Sequence, residues 1–314
     1  MGLNGYVVIG SAIVGLLVGL TGAGGGALMT PMLILLFSVK PAAAISSDLV
    51  AAVVMRPVGA LVHLRKGTVN LRLVGLMTLG SVPMAFLGAW LLKQLGGTSS
   101  SQQDVEIALG AALLAGAAAM AVRFIMDRKS GPRTARVDQV AIRPVPTVLI
   151  GMVGGLIVGM TSVGSGSLMI VLLLFAYPKL AAGRLVGTDL TQAVPLTAAA
   201  ALGALAFGHV EFGVTASIIV GSVPAVLIGS LFSSRAKDSY IRPAITFVIL
   251  ASGLKYIGLG TYPLAWTMGA VLVVAGGYWL ARTRPWRHDE PQAAGPPEVT
   301  ELVPEIQPLD ATAR

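Results

Sequence analysis

The chain has 314 residues, 55% of them hydrophobic and only 11% charged, with a mean hydropathy of +0.81. Soluble domains carry about 25% charged residues, so this chain is too poor in charge to face water, and a polytopic membrane protein remains. The absence of cysteine excludes disulfide staples, thiolate metal sites and thiol chemistry. Three scattered histidines, His63, His209 and His288, argue against a histidine-held metal, and no cofactor is implied.

The net charge of +8 is unevenly distributed. Residues 288–314 hold six acids against Arg314, so the hydrophobic part carries 21 basic and 8 acidic residues, or +13. That excess lies in short loops between apolar segments, the pattern of cytoplasmic loops. Nucleic-acid binding is not implied.

The first charged residue is Lys40, and residues 1–39 lack the basic start of a signal peptide, so this stretch is expected to stay in the protein. Further apolar segments follow at 46–64, 71–92, 105–125, 145–178, 185–206, 212–233, 241–259 and 263–281. Most approach the ~20 residues that cross a ~30 Å hydrocarbon core. Their Gly, Pro, Ala and Leu content suits helices, which satisfy their own backbone in lipid, and the short alternating runs of a β-barrel are absent. The expected fold class is an all-α polytopic membrane protein. The expected organisation is a membrane repeat at 1–126, a basic cytoplasmic linker at 127–144, a second repeat at 145–260, an additional transmembrane helix at 261–282 and a disordered cytoplasmic tail at 283–314. The tail is rich in Pro, Glu, Gln and Ala, too polar to build a core.

The repeat is explicit in the residues. Gly19-Leu20-Thr21-Gly22-Ala23-Gly24-Gly25-Gly26-Ala27-Leu28-Met29 aligns with Gly159-Met160-Thr161-Ser162-Val163-Gly164-Ser165-Gly166-Ser167-Leu168-Met169 at an offset of 140. At an offset of 141, Asp48-Leu49 falls on Asp189-Leu190, Gly67 on Gly208, Gly80-Ser81-Val82-Pro83 on Gly221-Ser222-Val223-Pro224, and Gly88 on Gly229. Residues 5–125 and 145–259 are two copies of one unit.

These paired Gly-rich openings, the Asp-Leu and Gly-Ser-Val-Pro elements, and the basic Arg65-Lys66-Gly67 turn resemble the sulfite exporter TauE/SafE family over nearly everything from residue 5 to about 260. The resemblance implies a secondary transporter of small sulfur-containing or organic anions. It also implies about eight spans, so the segment at 263–281 is an additional one.

The uncharged runs 1–39 and 144–178 are too long for one simple crossing. Thirty-four helical residues would cover about 51 Å at 1.5 Å each. Thr21 to Gly26 contains four glycines, each weakening a helix interior by up to about 1 kcal/mol, so a break is expected there. If each broken segment turns back to its starting face, the repeats become inverted. The loops with Arg65, Lys66 and Arg72, with Arg123 to Arg143, with Arg235, Lys237 and Arg242, and with Arg282, Arg284 and Arg287 then all fall inside. The expectation is two inverted repeats, each a Gly-rich broken-helix hairpin plus three spans, with the N-terminus outside and the C-terminal tail cytoplasmic.

Inverted repeats with broken helices place substrate near the midplane. A helix restarting after Gly26 or Gly166 presents free N–H groups and a positive dipole end, and hydroxyls beside it can donate. The candidate substrate-binding residues are Thr21, Gly22, Gly24, Gly25, Gly26, Arg56, Thr161, Ser162, Gly164, Ser165, Gly166 and Ser167. Gly15, Gly19, Gly151, Gly155 and Gly159 have the spacing of close helix packing. Arg56 stands within an apolar segment, a position that faces a cavity, pairs or snorkels. Its repeat counterpart is Thr197. Two readings of Asp48 and Asp189 stay open: helix capping, and proton carriage for a coupled transporter. The expected partners are thus a small anion, the bilayer and protons as coupling ion. A passive anion channel is the alternative function. An integral-membrane enzyme is a further one, lacking any clustered nucleophile or acid–base pair.

Overall fold

The computed structural model describes residues 3–21, 25–65, 67–95, 101–129, 142–178, 180, 182–232 and 238–283. The linker at 130–141, the loop at 233–237, the tail from 284 onwards, Lys66 and the tip residues Gly22 and Gly24 lie outside them.

Among the described residues, eleven helices follow in order: α1 (Gly5–Thr21), α2 (Gly26–Phe37), α3 (Pro41–Arg65), α4 (Leu71–Leu95), α5 (Ser101–Lys129), α6 (Pro144–Thr161), α7 (Leu168–Ala176), α8 (Ala182–Phe207), α9 (Phe212–Phe232), α10 (Asp238–Tyr256) and α11 (Thr261–Thr283). Six of them, α3, α4, α5, α6, α8 and α9, are long and apolar enough to cross a membrane. Among the described residues there is no strand, only an isolated bridge between Gly164 and Gly166. Residues up to Met268 form one compact unit and those from Gly269 a second, whose described part is the latter half of α11. The first unit exposes large apolar side chains such as Ile9, Leu79, Leu202 and Leu231, as a lipid-facing surface requires.

Both long uncharged runs break where the glycines stand, and the chain doubles back. In the second run the Tyr177 hydroxyl, just past α7, accepts the Arg143 N–H (3.0 Å), donates to the Arg143 carbonyl (3.1 Å) and meets Thr147 Oγ1 (2.6 Å). The end of α7 therefore lies beside the start of α6. In the first run, Gly10 of α1 faces Met32 and Phe37 of α2, which makes that pair antiparallel too.

The repeats interlock. α1 lies parallel to α9, with Gly15 against Ser222 and Gly19 against Val226 and Ser230. Its counterpart α6 lies parallel to α4 in the same way, with Gly151, Gly155 and Gly159 against Met77, Ser81 and Ala85. The Gly-Ser-Val-Pro elements complete the same contacts from the other side: Gly80 faces Val148 and Met152, and Gly221 faces Val8 and Ala12. Counterpart helices that meet each other run antiparallel. In α3 and α8, Ser46 meets Gly208 while His63 meets Gly187; in α5 and α10, Gly110 meets Gly253 while Met120 meets Thr246. Two apolar cores result. One surrounds the first hairpin with Met29, Leu33, Leu113, Val226 and Ile249; the other surrounds the second with Met77, Met169, Leu173, Leu196 and Ala200.

Glycine is required at these crossings because even a methyl group would meet backbone. A Cβ at Gly19 would sit 2.5 Å from the Val226 carbonyl oxygen and one at Gly15 2.8 Å from that of Ser222, whereas Gly75 of α4 faces open space. Gly15→Ala and Gly19→Ala should therefore each lower the thermal-unfolding midpoint of the detergent-purified protein, by about 1–3 kcal/mol of overpacking. Gly75→Ala should be neutral or raise it by up to about 1 kcal/mol.

Candidate functional site

The break in the second hairpin is a six-residue turn, Ser162-Val163-Gly164-Ser165-Gly166-Ser167. Ser162 is left-handed at φ 59°, and Gly164 and Gly166 have φ of 124° and 85°. Ser162 ends α6 with its N–H on the Val158 carbonyl. The glycines supply conformations that side chains resist, so the turn can fold back within the protein. Gly26, the first residue of α2, lies against the Ser162 carbonyl too closely to admit any side chain, which brings the start of α2 against the second hairpin's turn.

Three buried ionisable groups converge on this turn. Asp48 and Arg56 come from α3 and Asp189 from α8; they are 1%, 9% and 0% exposed. Asp48 Oδ2 accepts from Ser162 Oγ of the second hairpin (2.7 Å) and from Thr30 Oγ1 of the first (3.0 Å). Arg56 Nη1 donates to Ser165 Oγ. Asp189 Oδ2 accepts the Gly166 N–H at 2.6 Å. Arg56 lies within electrostatic reach of both carboxylates, and Arg123 of Asp189.

Capping is therefore not what the two aspartates do for their own helices. α3 starts at Pro41 and α8 at Ala182, so Asp48 and Asp189 lie two turns inside. The Ser-Ser and Gly-Thr pairs before them only imitate a start signal. Both carboxylates instead satisfy donors of the broken-helix turn, where orphan groups are unavoidable.

The other candidates separate clearly. Thr161 donates to the Ile157 carbonyl (2.6 Å) and accepts the Val163 N–H (3.2 Å), so it shapes the turn. Thr21 ends α1 and donates to the Leu17 carbonyl (2.7 Å). Gly25 caps α2 and faces Met55. Gly22 and Gly24 fall outside the described residues. The tip amide at Gly166, expected to be open to an anion, is held by the protein's own carboxylate. Open bonding capacity lies next to it: Arg56 Nη2, Asp189 Oδ1 and Ser167 Oγ are buried without a hydrogen-bond partner. Among the described residues, no group of three or more His, Asp or Glu is placed to hold a metal ion.

Two contributors escaped the sequence reading. Thr30 ties the first hairpin to Asp48, and Gln192 donates from Nε2 to Ser81 Oγ (2.5 Å) while its Oε1 has no partner. Their repeat positions are Ile170 and Ala51, so a search for matched pairs passes over them.

The fold is that of a polytopic membrane protein whose apolar helices enclose a buried polar turn, with Asp48, Arg56 and Asp189 against it. The profile of the family described as Sulfite exporter TauE/SafE matches residues 7–256, and the chain belongs to that family. It is 37% identical over 252 residues to the probable membrane transporter protein YjnA of Bacillus subtilis (strain 168), covering 80% of this chain and 98% of that one. It is 25% identical over 252 residues to the probable membrane transporter protein YdhB of the same organism, covering 79% and 98%. No solved structure was found to match.

Ser162 carries two opposed effects. Its hydroxyl satisfies a buried carboxylate, worth about 1.5–3 kcal/mol, while its left-handed backbone costs a residue with a side chain about 1–2 kcal/mol. Ser162→Ala should lose the bond and keep the strain, whereas Ser162→Gly should lose both. Denaturation midpoints should therefore place the alanine variant below the glycine variant by about 1 kcal/mol.

Proposed function

We propose that this membrane transporter is a secondary carrier of small sulfur-containing or organic anions, such as sulfite or sulfonates, working by alternating access of two inverted repeats. The observation that carries the proposal is the buried Arg56 guanidinium. One of its arms is fixed on Ser165, and the other, Nη2, is buried with no partner. An unpaired buried donor on a cation is costly, and an oxyanion is the ligand that resolves it, through charge-assisted bonds. Ser167 Oγ supplies a second open donor. The sulfur class rests on the family's name. Inversion is supported by the antiparallel pairing of counterpart helices and by the hairpins, which return the chain to its starting face. An outside N-terminus and a cytoplasmic tail follow from the positive-inside rule applied to the loops.

Asp48 and Asp189 are the proposed proton carriers. Charge balance supports this: two carboxylates already surround one arginine, so adding an anion to a fully ionised site would accumulate buried negative charge. Protonation of Asp189 would also weaken its grip on the Gly166 N–H and free that amide for substrate. Proton and anion then bind together, and anion affinity rises as pH falls. The charges acting on Asp189 are Arg56 and Arg123.

Reconstituted in liposomes, the protein should take up sulfite or a sulfonate and show counterflow of labelled anion. Uptake without counterflow would make it a channel, and no response to a panel of such anions would remove the substrate class. Arg56→Ala should weaken anion binding at least about thirtyfold, the low end of what truncating a buried charge partner costs. Arg56→Lys should be milder. Asp189→Asn should keep anion exchange while flattening the pH dependence of affinity, measured by ligand-induced thermal stabilisation.

A further inference from the structure

Two hydrogen bonds outside the charged cluster are related by the repeat. The Glu211 N–H, just before α9, donates to Ser47 Oγ of α3 at 3.1 Å. The Asn70 N–H, just before α4, donates to Thr188 Oγ1 of α8 at 3.2 Å. Residues 70 and 211 are repeat counterparts at the offset of 141, as are 47 and 188. Each bond therefore joins the loop of one repeat to a hydroxyl of the other. Both are backed by close packing at the same place. A Cβ on Gly208 would lie 2.5 Å from Ser46 Oγ, and one on Gly187 would lie 2.8 Å from Thr68 Oγ1 and 3.2 Å from His63 Nδ1.

The two contacts stand at opposite ends of the antiparallel α3/α8 pair. On α3 they fall at Ser47 and His63, sixteen residues or about 24 Å apart. Asp48 and Arg56 lie between them. Each hydroxyl also immediately precedes an aspartate that holds the substrate turn: Ser47 precedes Asp48 and Thr188 precedes Asp189. Loop and turn are thus attached to neighbouring residues of one helix, so a shift of that helix at one end is felt at both.

We propose that Ser47 and Thr188 are positioning residues for transport, each the latch of a gate on one membrane face. Ser47 holds the 208–211 loop closed at one face, and Thr188 holds the 67–70 loop closed at the other. Alternating access then consists of releasing one latch while the other stays made. A neutral hydroxyl–amide bond suits this work, because it is weak enough to break reversibly and leaves both partners free to meet water when open. The inference rests on the alternating-access reading above.

The natural absence of cysteine makes the test direct. A single cysteine is placed at Thr197, a buried residue of α8 at the repeat position of Arg56. Its labelling by a membrane-impermeant maleimide is followed in right-side-out and inside-out vesicles. In the parent, labelling occurs from both faces. Adding Ser47→Ala should raise the rate from the face of the 208–211 loop alone, and adding Thr188→Val from the opposite face alone. Each rise should be about fivefold, the shift in an opening equilibrium set by one neutral hydrogen bond. Ser47→Thr retains the hydroxyl and should label like the parent, which separates latch loss from misfolding. A parent labelled from one face only would overturn alternating access and the latches with it. A parent labelled from both faces, with variants that change nothing or raise both faces alike, would overturn the latches alone.

Discussion

The architecture depends on helix backbones approaching closely enough that glycine is compulsory. In lipid no hydrophobic force drives helices together, so association relies on van der Waals contact between smooth faces. The stripe of Gly15 and Gly19 on α1, and that of Gly151, Gly155 and Gly159 on α6, provide such faces. Each stripe seats on the Gly-Ser-Val-Pro helix of the other repeat. Hairpins that could not hold themselves upright in a bilayer are thereby clamped from outside their own repeat. The two halves are interlocked rather than merely adjacent, and each hairpin lies inside a core of mixed origin.

That clamp makes the charged cluster affordable. Three buried ionisable groups would be costly alone, but the broken helix supplies backbone and hydroxyl donors to them. Asp48 takes hydroxyls from both hairpins, Asp189 takes a turn amide, and Arg56 donates to Ser165. What is left over is specific: one guanidinium arm, one carboxylate oxygen and one serine hydroxyl. Among the described residues, three of the eight buried side-chain atoms without a hydrogen-bond partner belong to this cluster.

Much of this was legible in the sequence because membrane physics leaves few options. Run lengths, glycine clusters and the 140–141 offset point to helices, breaks and duplication, and the glycine stripes were assignable to packing from spacing alone. The bonds of Arg56 to Ser165 and of Ser162 to Asp48 were not legible as pairs, since they join residues 109 and 114 positions apart. The start of α3 was misplaced because Ser46, Ser47 and Asp48 imitate a cap, while Pro41, a good first-turn residue, opens the helix. Gly166 was expected to offer its amide to substrate, but Asp189 takes it from a helix that the repeat alone could not position. Thr30 and Gln192 stayed hidden because each occurs in one copy only. Symmetry reading finds what the copies share and is blind to how they diverged.

The central claim is that the turn at 162–167 and the open arm of Arg56 form an anion site between the repeats. Selenite, a heavier analogue of sulfite, gives an anomalous X-ray signal that locates it without ambiguity. A structure of the protein crystallised with selenite should show the anomalous peak within hydrogen-bond reach of Arg56 Nη2 and Ser167 Oγ. A selenium peak bound elsewhere in the bundle, with Arg56 still holding only Ser165, would contradict the account.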